Sequence, residues 1–254
     1  MSKLGRSKIG SGTGLLVMLV AGLSGLALVN APADCRQQLL TAYHKLAGKG
    51  TDNRNVFHAQ FVSTTLYQVQ GQRAKRETTL RGELYTQGDK VFFQTDDMNL
   101  WQDGHYVATT LRSQRAVLLT RMVPKQAATD PRRMLIVRDT LLKIGKLQLC
   151  ASEQQGKQLL QHVQLGYSDA LAIRLKIRNL DFWLTPQNTL QQLRVQYLPG
   201  NEVQQVTTRF TVQERLLTSD KLPIDARLQV LNEQGKLLPA YQGYRLVNQI
   251  TPGR

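Results

Sequence analysis

The sequence predicts a mainly β (α+β) fold: an antiparallel meander curling into a barrel or half-barrel, with one helix before it and one inserted within it. Three observations carry this. Apolar and polar residues alternate with period two over most of residues 56–231, broken by short turn signals. A 3.6-residue period occupies the stretch from Cys35 to about Lys49, with Leu39, Leu40, Tyr43, Leu46 and Ala47 on one face. Asp130-Pro131 then places an N-capping side chain before a proline at a first helical position, and Met134, Leu135, Val137, Leu141, Leu142 and Ile144 follow as an apolar face up to Gly145.

In chain order, strands are expected at 56–69, 77–86 and 90–95, then as a hairpin 99–102 and 105–111 about Asp103-Gly104, and at 116–122. After the inserted helix at 131–144, strands are expected at 146–152 and 158–165, and at 171–178, where Leu171, Ile173, Leu175 and Ile177 alternate with Ala172, Arg174, Lys176 and Arg178. Further strands are expected at 181–185, 189–198, 202–217 and 226–231, and Tyr241–Leu246 is a candidate last strand.

Residues 1–33 read as an export signal. Lys3, Arg6 and Lys8 precede an apolar run from Gly14 to Val29, and Ala31-Pro32-Ala33 has the small residues of a cleavage site before Asp34. The competing reading is an uncleaved anchor, since no charge falls between Lys8 and Asp34. Three glycines in the run and the A-x-A ending favour cleavage. Both readings place the body outside the cytoplasm, in the periplasm or cell envelope. Asp34 directly before Cys35 argues against a lipid-modified cysteine. Residues 34–254 are expected to form a single β domain.

The chain carries 33 Lys and Arg against 18 Asp and Glu, a formal +15, and the body after the signal keeps 30 against 18, or +12. Such a field favours anionic partners: lipid head groups, a membrane surface or an acidic envelope protein. Arg174, Lys176 and Arg178 form a cationic stripe on the expected 171–178 strand and are head-group candidates. No aromatics interleave with them, so nucleic acid is not an expected partner.

No enzyme is expected. No G-x-S-x-G elbow and no H-E-x-x-H pattern occurs, and His44, His58, His105 and His162 lack metal-ligand spacing, reading instead as surface or edge-strand residues. Asp96, Asp97 and Asp103 are the densest acidic cluster, but Trp101 stands where a calcium loop needs an oxygen ligand. Turn chemistry explains the cluster more simply than a paired-carboxylate site. No metal and no cofactor is expected. Cys35 and Cys150, the only cysteines, are a candidate disulfide that would pin the first helix to a strand.

The order signal, amphipathic helix, hairpins, mid-chain apolar helix, more hairpins resembles the periplasmic outer-membrane lipoprotein carrier and acceptor (LolA/LolB-like) superfamily. The most specific patch runs from Asn99-Leu100-Trp101-Gln102-Asp103-Gly104-His105-Tyr106-Val107 through Ser113-Gln114 to Ala116–Leu119, similar to that family's W-x-D-G hairpin. Phe182–Pro186 and Leu193–Val195 suit its second half. The resemblance implies a half-barrel whose apolar groove holds an acyl chain, lipid or lipoprotein under a lid, and a transport role. Groove candidates are Phe57, Phe61, Tyr67, Leu84, Phe93, Trp101, Val107, Val195, Tyr197 and Phe210. Lid candidates are Met134, Leu135, Val137, Leu141 and Leu142. The alternative is a structural or adaptor component of the envelope with a filled core and a basic docking face, to which the long tail from Ala226 onward gives weight.

Overall fold

The computed structural model describes residues 32–46, 54–68, 75–122 and 139–250. Twelve strands form one sheet: β1 (Val56–Gln68), β2 (Lys75–Gln87), β3 (Lys90–Thr95), β4 (Met98–Gln102), β5 (Tyr106–Leu111), β6 (Ala116–Arg121), β7 (Lys146–Gln155), β8 (Gln158–Gly166), β9 (Ile177–Leu184), β10 (Leu190–Tyr197), β11 (Val203–Leu216) and β12 (Arg245–Asn248). Their order is β12-β6-β5-β4-β3-β2-β1-β11-β10-β9-β8-β7. The sheet curves without closing, since β12 and β7 remain its two edges. Every pairing is antiparallel except β12 on β6. Two meanders, β1–β6 and β7–β11, therefore meet along one seam, where Val56 faces Leu216 and Tyr67 faces Val203.

Among the described residues three α-helices accompany the sheet: α1 (Pro32–Leu46), α2 (Asp139–Ile144) and α3 (Asp169–Leu175). The apolar stripe of α1 (Leu39, Ala42, Tyr43 and Leu46) is buried against the inner face of the sheet. Its ends fix its direction. Near its start, the Arg36 guanidinium donates to the Lys143 carbonyl at 3.1 Å and to that of Gly145. Near its end, Lys45 Nζ donates to the Gln187 carbonyl in the β9–β10 turn at 2.8 Å. α1 thus crosses the sheet from one rim to the other. A disulfide joins Cys35 of α1 to Cys150 of β7, Cα to Cα 6.3 Å.

Two expected strands are absent. Residues 171–178 are not a strand: α3 occupies 169–175, Lys176 ends it in the left-handed conformation at φ 58°, and β9 starts at Ile177. Asp169 in the first turn, with Ala170 and Ala172, favours the helix, and an alternating pattern this short does not distinguish the two. Residues 226–231 are not a strand either. A short 3-10 turn at Arg227–Gln229 and a lone bridge from Leu231 to Leu237 stand there. The last strand lies at 245–248 rather than 241–246. The inserted helix is described only over α2; residues 131–138 lie outside the described residues.

Both faces of the β3–β6 region are buried. Phe93, Leu100 and Val107 face inward. Phe92, Trp101, Ala108, Val117 and Leu119 face outward, under the tail residues Ala226, Val230 and Leu231. The tail is held by Asp103, whose Oδ1 accepts from the backbone N–H of His105 at 2.6 Å and of Tyr106 at 2.8 Å, and whose Oδ2 accepts from Ala226 N–H at 2.6 Å.

One glycine is fixed by the inner packing. A Cβ on Gly82 would lie 2.1 Å from Cζ of Phe61, a ring only 2% exposed. Gly82→Ala forces that ring out of an occupied core, an overpacking that costs roughly 1–3 kcal/mol. The expected result is a thermal midpoint lower by several degrees, about 2–4 °C per kcal/mol at this size; an unchanged midpoint would show the ring is free to move.

Candidate functional site: the apolar inner face

The inner face is a single apolar cluster that crosses the seam. Phe57, Phe61, Leu84, Phe93, Val107 and Phe210 belong to it, and Val195 packs against it half-buried. Seven of the ten groove candidates thus come together. Phe61 lies 6.0 Å from Phe93 and 6.4 Å from Phe210, ring centre to ring centre. Tyr67 and Tyr197 lie half-buried outside the cluster, toward the strand ends, and burial raises the Tyr197 phenol above its ordinary pKa.

Trp101 separates from the set. Leu100 and Trp101 are neighbours on β4 and point to opposite faces, so with Leu100 inside, Trp101 lies outside, 5.7 Å from Phe92. It belongs to the core under the tail.

Of the lid candidates, Leu142 is buried in the inner cluster and Leu141 packs half-buried against it. Met134, Leu135 and Val137 lie outside the described residues. The Tyr167 hydroxyl donates to the Leu141 carbonyl at 3.3 Å and ties α2 to the β8–α3 link, and burial pushes that phenol upward in pKa. The cations Arg174, Lys176 and Arg178 are exposed, but not as a strand stripe: they run from α3 into the first residues of β9.

The acidic cluster dissolves. Asp96 and Asp97 occupy the β3–β4 turn and Asp103 the β4–β5 turn, at opposite ends of a five-residue strand. That separation is about 17 Å at strand rise, too far for two carboxylates to share one reaction. Asp97 accepts from the Ser113 backbone and hydroxyl, at 2.6 and 2.8 Å, and those bonds hold its carboxyl below the usual range.

Two histidines depart from the surface expectation. His44 and His105 are exposed, but His58 is buried on the outer side of β1, with Nδ1 2.7 Å from Glu214 and Nε2 2.9 Å from Glu83. Its ring stacks 4.2 Å from Tyr85. Burial works to raise the Glu83 carboxyl, yet hydrogen bonds from Gln60, His58 and Tyr85 outweigh it and hold it below its ordinary value. Burial, then the Glu83 bond, pushes the Tyr85 phenol up to about 12. His162 repeats the arrangement on β8, 2.9 Å from Asp181 and 3.1 Å from Glu153, stacked 4.4 Å from Trp183 with the Arg194 guanidinium 4.6 Å above that ring. These groups stitch adjacent strands across the outer face. Their sequence signal was the polar residue opposite each inward apolar one, with carboxylates on the paired strands, which only the register reveals.

The arrangement is an open curved sheet with a covered apolar inner face, the architecture the resemblance implied. No protein-family model matches the chain, and no curated protein matches it in sequence. Among solved structures, an uncharacterized conserved protein from Thermus thermophilus aligns with a TM-score of 0.43 at 8% identity, covering 84% of this chain and 98% of that one. The Mycobacterium tuberculosis lipoprotein LppX aligns at 0.42 and 10% identity, over 72% and 96%. A LolA superfamily protein from Nitrosomonas europaea aligns at 0.30 and 9% identity, over 71% and 92%. Each is a distant likeness of overall chain course.

Proposed function

We propose that this chain is an exported, non-enzymatic envelope protein that receives an acyl chain, free or carried on a lipoprotein, against the inner face of its half-barrel. The observation that supports this most is that one apolar cluster spans both meanders, while separate elements, α1 and α2, cover it instead of a closed barrel wall. A cover of that kind can move while the sheet stays paired. Acyl burial at about 0.8 kcal/mol per CH₂ needs apolar area and no reactive group.

The filled-core adaptor reading draws support from a different fact: the rings of Phe61, Phe93 and Phe210 already occupy the middle of the inner face. Fluorescent fatty acid titration separates the two. Wild type is expected to bind, and Leu141→Asp, at a half-buried position on the cover, is expected to weaken binding at least tenfold with the β circular-dichroism signal unchanged. Absence of binding by wild type, with no lipid extracted from protein purified from the envelope, would leave the adaptor reading standing.

A further inference from the structure

The register collects scattered cations on one rim of the sheet. Tyr197 pairs with Ile177, Gly166 with Lys146, Tyr67 with Val203 and Gln68 with Lys75, so the start of β7, the α3 link, the β10–β11 turn and the far ends of β1 and β2 share one end. Lys143 and Lys146 are exposed there beside the start of β7. Arg174, Lys176 and Arg178 are exposed on α3 and the start of β9, and Lys75 and Arg76 at the start of β2. Against these seven, the exposed carboxylates described in the same segments are Glu77, Asp169 and Glu202, with Asp34 exposed at the start of α1. The β3–β6 turns at this end are balanced, Asp96 and Asp97 against Arg112 and Arg115.

Two further features belong to the same rim. Ile173 is 68% exposed and Ile144 43%, each a large aliphatic beside the cations. The chain also enters the fold here: the Arg36 contacts with residues 143 and 145 put the start of α1 at this rim, shortly after the uncharged apolar run of residues 14–29 in the sequence. Cations flanking exposed aliphatic side chains are what an anionic bilayer surface attracts and accepts.

We propose that this rim docks on an anionic bilayer surface, with Arg174, Lys176 and Arg178 against phosphate head groups and Ile173 and Ile144 entering the interface. The proposal stands independently of whether the inner face takes an acyl chain. Orientation follows from it: the start of α1 and α2 then face the membrane, and the opposite rim, where Asp103 holds Ala226, faces away.

The test is sedimentation of the full chain with phosphatidylglycerol-containing vesicles, with pure phosphatidylcholine vesicles subtracting any binding through residues 14–29. The expected result is a preference for anionic vesicles that falls steeply as salt rises. Each near-surface cation supports about fivefold at low salt, so Arg174→Gln/Lys176→Gln/Arg178→Gln is expected to lower anionic binding by one to two orders of magnitude. A matched variant away from the rim, Lys157→Gln/Arg215→Gln/Arg121→Gln, is expected to leave it within about twofold, since these exposed residues stand at the opposite strand ends, beyond the Debye length from a docked surface. Equal losses in both variants, or no preference for anionic vesicles, would overturn the proposal. So would a rim variant that loses binding to poly-glutamate while wild type ignores the vesicles, for the rim would then serve an acidic protein.

Discussion

Reduction of the Cys35–Cys150 bond, or the double substitution Cys35→Ser/Cys150→Ser, is expected to lower the thermal midpoint by roughly 10–15 °C. The bridge spans 115 residues of sequence, and closing a loop of that length restricts the unfolded chain by about 4–5 kcal/mol on the entropy model. The effect is also local. α1 lies on the inner face through four buried side chains besides Cys35, and the bond anchors its first turn to edge strand β7. Without it, α1 is expected to open before the sheet melts, so a dye that reports exposed apolar surface should brighten below the main transition. A midpoint unchanged by reductant would mean that the packing of Leu39, Ala42, Tyr43 and Leu46 holds the helix unaided.

The second large effect is expected at Asp103. This carboxylate is 5% exposed and accepts three backbone N–H groups, one from the tail. Asp103→Ala leaves the N–H of Ala226, a residue fully buried, without a partner. Charge-assisted bonds and an orphaned buried donor together amount to about 3–4 kcal/mol. The tail is expected to detach while the inner core persists. Trp101 lies beneath the tail and Trp183 does not, so a Trp183→Phe background gives a clean reporter: Trp101 emission should shift red and proteolysis within 217–250 should accelerate. Asp103→Asn, which keeps one carbonyl oxygen, should recover part of the loss. Full tail protection in Asp103→Ala would refute the tie.

Much of this fold was legible in the residues because most strands bury one face and show it. Phe57, Ala59 and Phe61 against His58 and Gln60 set the facing of β1 correctly. Legibility failed where both faces are buried. Phe92-Phe93 and Leu100-Trp101 are adjacent apolar pairs, and alternation cannot assign such a pair to faces. Only the tail, a segment far along the chain, explains why Phe92 and Trp101 are apolar at all. The tail carries no such signal, because its buried residues, Ala226, Val230 and Leu231, flank a 3-10 turn and a bridge with no lasting period. The pairing of His58 with two carboxylates required knowing that β1 sits between β2 and β11, a fact of register between residues 25 and 156 positions apart.

The seam between β1 and β11 has a consequence for how this chain comes to be folded. Its paired residues are 136 to 160 positions apart in sequence, whereas every other strand joins a neighbour close in the chain, β12 excepted. Each meander can therefore assemble from local hairpins, but the inner cluster is complete only once the two are zipped together. That step brings the contact-order cost that slows β proteins to milliseconds and beyond. Until it is taken, β1 and β11 are long unprotected edges carrying Phe57, Phe61 and Phe210, surfaces that in a half-made molecule invite pairing with a second chain. The half-made form is thus the state most in need of a chaperone or of low concentration, and the seam is the point at which that need ends.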